Sequence, residues 1–97
     1  MQQPSYKLYI LVDKTLSSSQ QAVQACHASI EFAKKYPEWK HQSLVLLGIN
    51  GEAALDLWKW KLQRYQQAAF YESFWDNRLT AIATYGCDEL VKELPLL

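Results

Sequence analysis

Four polar side chains recur at helical spacing in the first half of the chain. Gln20, Gln24, His27 and Glu31 are separated by four, three and four residues. On an α-helix this spacing places all four side chains in one row along the cylinder. Because apolar residues flank the row, the sequence predicts either a satisfied internal hydrogen-bond network or the wall of a binding site.

Cys26 stands next to His27, which suggests a nucleophile and its base. Adjacent helical residues point about 100° apart, so these two side chains cannot face each other as a catalytic pair. His27 is therefore interpreted either as a packed, hydrogen-bonded histidine or as a residue of the site. With His41 and Cys87 the pair shows no recognised zinc-ligand spacing, so we expect no metal site and no cofactor.

The row requires a long helix, and the stretch from Ser17 to Tyr36 predicts one. The serines at its start can cap the first turn, and Pro37 cannot continue a helix. Two apolar stripes run along this helix, so we expect it to be buried on more than one side. The first stripe is Val23, Cys26, Ile30 and Ala33, and the second is Ala22, Ala25, Ser29 and Phe32.

The remaining elements alternate in a way that is typical of an α/β domain. Apolar runs predict four strands, and residues between them predict two further helices. The order β-α-β-α-β-β-α predicts one domain over residues 1–97, a three-layer α/β/α fold with a four-stranded mixed sheet. Its first three strands should be parallel and its fourth antiparallel. The predicted strands are Lys7 to Val12, Ser43 to Ile49, Ala68 to Glu72 and Leu79 to Tyr85, and the predicted helices are Glu52 to Tyr65 and Cys87 to Leu94.

This topology brings several polar residues to one edge of the sheet. The end of the first strand, the start of the first helix, the end of the third strand and the start of the fourth should share that edge, which we call the rim. Ligands of open α/β sheets bind at the carboxyl ends of strands, so we predict a site there. The polar residues of the rim are Ser17 to Gln20, Glu72, Asp76, Asn77 and Thr80.

Two segments resemble the type II peptidyl-tRNA hydrolase family. The helical segment Gln24-Ala25-Cys26-His27-Ala28 and the strand Leu79-Thr80-Ala81-Ile82-Ala83 are similar to family motifs, and the resemblance extends from about Leu8 to Thr84. The resemblance implies an α/β fold and hydrolysis of the ester between a peptide and its tRNA. It places Gln20 where the family has a lysine, Glu72 where it has an acid, and Thr80 on its last threonine.

The resemblance therefore nominates Gln20, Glu72 and Thr80 as catalytic residues, with substrate-binding residues around them. A glutamine carries no positive charge, and the family's glycine-rich loop is shortened here, so a catalytically silent domain that binds a ligand or partner is the alternative. The expected substrate-binding residues are Ser19, Gln24, His27, Asp76 and Asn77.

Composition limits the partners. The net charge is zero, which weakens the expectation of strong binding to a nucleic-acid backbone. The resemblance still implies tRNA or peptidyl-tRNA as a partner. No apolar run is long enough for a membrane span, so we expect a cytoplasmic protein with reduced cysteines and no membrane contact. Leu57 and Trp60 fall off the core stripe of the second helix, which predicts a homodimer through these two residues.

Overall fold

A computed structural model describes residues 7–40 and 43–97 of the chain, and it has the predicted class and order of elements. Four strands form one mixed sheet with three α-helices, so the predicted α/β fold is confirmed. A short 3-10 turn lies between the last two strands. The elements are β1 (Lys7–Asp13), α1 (Ser18–Lys35), β2 (Ser43–Ile49), α2 (Glu52–Lys61), β3 (Gln66–Glu72), the 3-10 turn (Ser73–Trp75), β4 (Arg78–Tyr85) and α3 (Asp88–Val91).

The strands lie in the order β2-β1-β4-β3. β1 pairs parallel to β2, and β4 pairs antiparallel to both β1 and β3. The first three strands therefore run in one direction and β4 runs against them, as predicted. Because β4 is inserted between β1 and β3, the ends of β1 and β3 and the start of β4 meet at the rim.

Each face of the sheet carries its own apolar core. Leu8, Ile10 and Val12 of β1 pack with α1, while Tyr9 and Leu11 pack with α2. All five side chains are buried, as expected for a central strand covered on both sides. Among the described residues, no helix combines the length and the apolar character that crossing a membrane requires.

Local sequence explains where α1 begins and ends. The Ser17 side chain accepts a hydrogen bond from the backbone N–H of Gln20 at 3.3 Å, which caps the first turn. Tyr36 ends the helix, directly before Pro37. The second helix is shorter than predicted, because it ends at Lys61 rather than Tyr65.

Two burial predictions are wrong. The first apolar stripe of α1, represented by Val23 and Ile30, is exposed, and the helix buries Gln24, Ala25, Ala28 and Phe32 instead. The second error concerns β2: the apolar run from Ser43 to Ile49 predicts a buried strand, but its first four residues are exposed or half-buried. β2 is an edge strand, and α1 packs on β1, β4 and β3 rather than over it.

A β-bulge shapes the start of β4. Phe70 pairs with Ala81, and the next residue, Tyr71, pairs with Leu79. Thr80 is therefore an extra residue in β4 with no partner of its own in the β3–β4 ladder. A bulge of this kind redirects side chains relative to regular alternation, and it does so at the rim.

Candidate functional site

Gln24 is the centre of a hydrogen-bond network at the rim. Its Nε2 donates to Glu72 Oε2 at 3.0 Å and to Gln20 Oε1 at 3.3 Å. Its Oε1 accepts from the hydroxyl of Thr80 at 2.7 Å. One amide on α1 thus joins the end of β3 to the start of β4. The structure brings Gln20, Glu72 and Thr80 together around a side chain that is 0% exposed.

Thr80 reaches this network because of the bulge. Regular alternation from Ala81, which faces α1, would point Thr80 toward α2. The extra residue instead lets the hydroxyl point to Gln24, with a longer contact of 3.4 Å to the carbonyl of Phe70. The side chain is completely buried, so its hydroxyl is a donor held within the protein.

Glu72 is 9% exposed and forms the outer wall of the network. Its Oε1 accepts the backbone N–H of Phe74 at 3.3 Å, and this contact caps the 3-10 turn. The hydrogen bonds from Gln24 and Phe74, with a smaller contribution from the charge of His27, lower the pKa of Glu72 below its ordinary value. Glu72 is therefore a carboxylate at neutral pH.

His27 is exposed rather than packed in the core. Its ring stacks on Phe70 with centroids 4.3 Å apart and an angle of 6° between the planes. Because Phe70 lies two residues before Glu72, this stack holds the imidazole beside the network. His27 is thus positioned to face a ligand, and Cys26 is exposed on another side of the helix.

The other predicted site residues lie at the rim but outside the network. Ser19 is exposed on the first turn of α1, where its hydroxyl is 3.4 Å from that of Ser17. Asp76 and Asn77 are exposed and adopt left-handed backbone conformations, with φ of 51° and 58°. Asp and Asn are the side chains that tolerate this conformation best, so these residues form the turn into β4.

Sequence reasoning missed a second cluster at the rim. Asp13, at the end of β1, is 0% exposed and accepts from Arg78 at 2.5 Å and from the hydroxyl of Thr15 at 2.6 Å. Burial alone would raise the pKa of Asp13. The hydrogen bonds from Thr15 and the charge of Arg78 together outweigh burial, so the pKa is lowered below its ordinary value. The only sign of this cluster in the sequence is an aspartate directly after the apolar run of the first strand. Its partner is 65 residues away in the chain.

The chemistry available is hydrogen bonding by amide, carboxylate, hydroxyl and imidazole groups. Burial raises the pKa of the Cys87 thiol to about 11, so this cysteine is neutral and unsuited to be a nucleophile. Within residues 7–40 and 43–97, no three His, Cys, Asp or Glu side chains are grouped to hold a metal ion. His41 lies outside the described residues.

No protein-family model matches the chain, and no curated protein sequence matches it.

Proposed function

We propose that the protein is a peptidyl-tRNA hydrolase-like domain whose rim hydrolyses the peptide–tRNA ester weakly or not at all. One observation supports this proposal: the three positions that the resemblance nominates, Gln20, Glu72 and Thr80, all bond to the amide of Gln24. Gln20 lies on α1, Glu72 ends β3 and Thr80 lies in β4. The resemblance alone gave no reason for a shared hydrogen-bond partner.

The surroundings and charges of the nominated catalytic residues favour low hydrolytic activity. The Thr80 hydroxyl is buried and donates to Gln24, so it is not directed at a substrate carbonyl. Gln20 provides a neutral amide where a cation would stabilise a developing oxyanion. Arg78 is a cation at this rim, but its guanidinium is engaged by Asp13. Among the described residues, the hydrogen-bond network around Gln24 includes no lysine or arginine.

The charge distribution also weakens a tRNA partner at the rim. Lys34 and Lys35 occupy the last turn of α1, at the end of the sheet opposite the rim. Phosphate groups require cations close by, and the carboxylates of Glu72 and Asp76 would repel them. We therefore expect peptidyl-tRNA to bind weakly, with an affinity that falls as salt is added.

A cleavage assay on purified protein tests the proposal. Wild type should give weak or no turnover of peptidyl-tRNA, and Gln20→Lys should raise the rate by roughly 10²–10³-fold by adding an electrophilic group. The matched control is Gln63→Lys, which adds the same charge at an exposed position after α2, away from the rim, and should not raise the rate. Reactions in metal-free buffer and at high salt serve as further controls in this assay.

Strong wild-type turnover that survives both Thr80→Ala and Glu72→Gln would place the chemistry elsewhere in the molecule. It would contradict the assignment of the rim as the site. Equal activation by Gln20→Lys and Gln63→Lys would indicate a general effect of charge on tRNA binding rather than catalysis at the network.

A catalytically silent domain that binds a ligand or partner through the same rim is the second candidate. The observation that favours it is the mutual satisfaction of Gln24, Glu72 and Thr80, which is typical of a structural network. Binding of a non-hydrolysable peptidyl-tRNA analogue to wild type, with no turnover by Gln20→Lys, would favour this candidate.

The homodimer through Leu57 and Trp60 remains a prediction, as does the cytoplasmic location. Both side chains are exposed, Trp60 by 66%, which such an interface would require. They are separated in the helix by Trp58 and Lys59, and Lys61 lies over the ring of Trp58.

A further inference from the structure

The outer edge of β3 is an open strand edge. β3 ends the strand order, and its neighbour in the sheet is β4. The backbone N–H of Gln67 points away from β4 to the hydroxyl of Tyr36 at 3.3 Å, and its C=O accepts from Lys35 Nζ at 2.9 Å. Because backbone groups alternate along a strand, those of Ala69 and Tyr71 point to the same outer side. In the described part of the chain, no hydrogen bond reaches the outward N–H and C=O groups of these two residues.

The outer edge of β3 and the second half of α1 enclose a groove of about 360 Å³, which we call the β3 groove. Ala68 and Ala69 line it on the strand side, and their methyl groups leave the β3 backbone accessible. Glu31, Lys34 and Lys35 line it on the helix side. α1 begins at the rim and β3 ends there, so the helix and the strand run antiparallel along the groove. An open strand edge of this kind is where extended peptides add to a sheet as a further strand.

The β3 groove is closed at one end, at Gln67. Both outward backbone groups of Gln67 are already bonded, so a peptide that pairs with the open part of the edge cannot continue past this residue. Such capping blunts a strand edge against unwanted pairing, but here it stops at Gln67 and leaves the edge open toward the rim. Lys34 and Lys35 lie at the closed end, in the last turn of α1. The Tyr36 hydroxyl accepts from Gln67 there, so its own proton is available to a ligand.

We propose that the β3 groove binds the carboxyl end of an extended peptide, which adds to β3 as an antiparallel strand and places its terminal carboxylate at Lys34 and Lys35. The penultimate peptide residue lies opposite Ala69 and exchanges both backbone hydrogen bonds with it, and the fourth residue from the end does the same with Tyr71. The last residue lies opposite Ala68, beside the closed end. The backbone bonds accept many peptide sequences, and the carboxylate fixes the direction of the peptide. This binding does not depend on hydrolysis at the rim.

Charge favours the carboxyl end of a peptide at the closed end of the groove. The lining contains two lysines and one acid, Glu31, whose carboxylate lies 3.6 Å from Lys34 Nζ at an exposed position. Such a pair is weak, so the lysine keeps donors for a further anion. A reversed peptide would bring its carboxylate toward that of Glu72 and its ammonium toward the lysines, which is unfavourable at both ends. A nucleic acid would meet the same lysines, but its backbone lacks the alternating N–H and C=O groups that the outer edge of β3 requires.

Fluorescence polarisation of a labelled peptide with the full chain tests the proposal. The probe is Gly-Gly-Thr-Val-Thr-Val with fluorescein at its amino end and a free carboxyl end, since β-branched residues favour a strand. Protein is titrated from about 1 μM to 1 mM, which spans micromolar to millimolar affinities. The free acid should bind, and the same peptide with a C-terminal amide should bind about tenfold more weakly, because it loses the charge-assisted bonds. No binding of the free acid over this range, or equal binding of acid and amide, would overturn the proposal.

Backbone N-methylation of the probe tests the strand pairing without any change to the protein. A methyl group on the penultimate nitrogen removes the donor to the C=O of Ala69 and should weaken binding about tenfold. A methyl group on the nitrogen of the third residue from the end is the matched control, because that N–H points away from β3 and its loss should change the affinity little. Equal effects of the two methyl groups would show that the peptide does not pair with β3 in this register, and the proposed arrangement would be wrong.

Two lysine variants test the position of the carboxylate. Lys34→Gln should weaken binding of the free acid about threefold, a modest loss because the side chain is exposed and screened. Lys92→Gln is the matched control, since Lys92 is also exposed and also pairs with a glutamate three residues away, and it should leave the affinity unchanged. Equal losses in both variants, or a loss in neither, would place the carboxylate elsewhere and overturn the proposal. Absence of peptide binding together with weaker tRNA binding by Lys34→Gln would assign this end of the groove to a nucleic acid instead.

Discussion

Asp13 and Glu72 are both buried carboxylates at the rim, and their surroundings differ in kind. Asp13 accepts from a guanidinium and from Thr15, so its charge is neutralised within the protein. The hydrogen bonds that Glu72 accepts come from neutral groups, the Gln24 amide and the Phe74 backbone. An ion pair across strands mainly fixes structure, whereas a carboxylate held by neutral donors keeps its attraction for other groups. The rim thus has a structural half and a half suited to binding.

The largest effect should come from the structural half. Asp13→Ala removes both Thr15 hydrogen bonds and leaves Arg78 without its partner. We expect a loss of about 3 kcal/mol in the free energy of unfolding, near the low end for a buried pair because Arg78 is 35% exposed and partly screened. Chemical denaturation measures it, with the exposed Asp56→Ala as the control. A loss below 1 kcal/mol, within the scatter of surface substitutions, would remove the distinction between the two halves.

Gln24→Leu tests whether the other half also stabilises the fold. The substitution keeps the volume but leaves the Thr80 hydroxyl with only its longer contact to Phe70. We expect a loss of about 2 kcal/mol, the cost of a buried polar group without a good partner. Gln63→Leu, at an exposed position, is the control and should change stability little. An unchanged unfolding midpoint for Gln24→Leu would show that the network contributes nothing to the fold.

The Gln24 network and the cluster around Asp13 could not be predicted equally well from the sequence. Topology placed Gln20, Glu72 and Thr80 at one rim, because the order of strands decides which strand ends meet. The bond between Asp13 and Arg78 could not be predicted, since nothing local pairs two residues 65 apart. The bulge at Thr80 was equally hidden, because β4 is buried on both faces and its sequence shows no alternation that an extra residue would interrupt.

The prediction of which side of α1 is buried failed for a different reason. α1 carries two apolar stripes of similar strength, and periodicity cannot decide which one faces the sheet. Tertiary contacts decided it, because β2 lies at the edge and α1 is centred on the other three strands. The residues left exposed include Val23 and Ile30.

Acid should weaken both halves of the rim, in a defined order. Each carboxylate has a lowered pKa in the folded protein, so its contribution to stability is complete above its ordinary pKa and is lost as the pH falls through the folded value. The ordinary values are 4.5 for Glu72 and 3.8 for Asp13, so the loss from Glu72 should begin at the higher pH.

Unfolding free energies measured between about pH 2 and 7, a range that spans both carboxylate pKa values, check this order. Glu72→Gln should remove the upper part of the decline, and Asp13→Asn the lower part. Profiles of both variants that superimpose on wild type would show that neither carboxylate is linked to folding.

The smallest effect should come from Gln20, the outermost member of the network. It is half-buried, and its bond to Gln24 is 3.3 Å long. Gln20→Ala should therefore cost about 0.5 kcal/mol or less, within the range of surface substitutions. A loss as large as that of Gln24→Leu would mean that Gln20 is a structural member of the network and a poor position for Gln20→Lys.

The extra residue at the start of β4, Thr80, supplies a hydroxyl to the rim without taking part in the pairing of β3 with β4. Leu79 and Ala81 already face opposite sides of the sheet and already pair with consecutive residues of β3. Deleting Thr80 would join them into a regular strand, with every apolar side chain on its present side. A single-codon deletion could thus remove the hydroxyl from the rim and leave the core pattern unchanged. Gain or loss of this hydroxyl would then need one insertion or deletion rather than a series of substitutions.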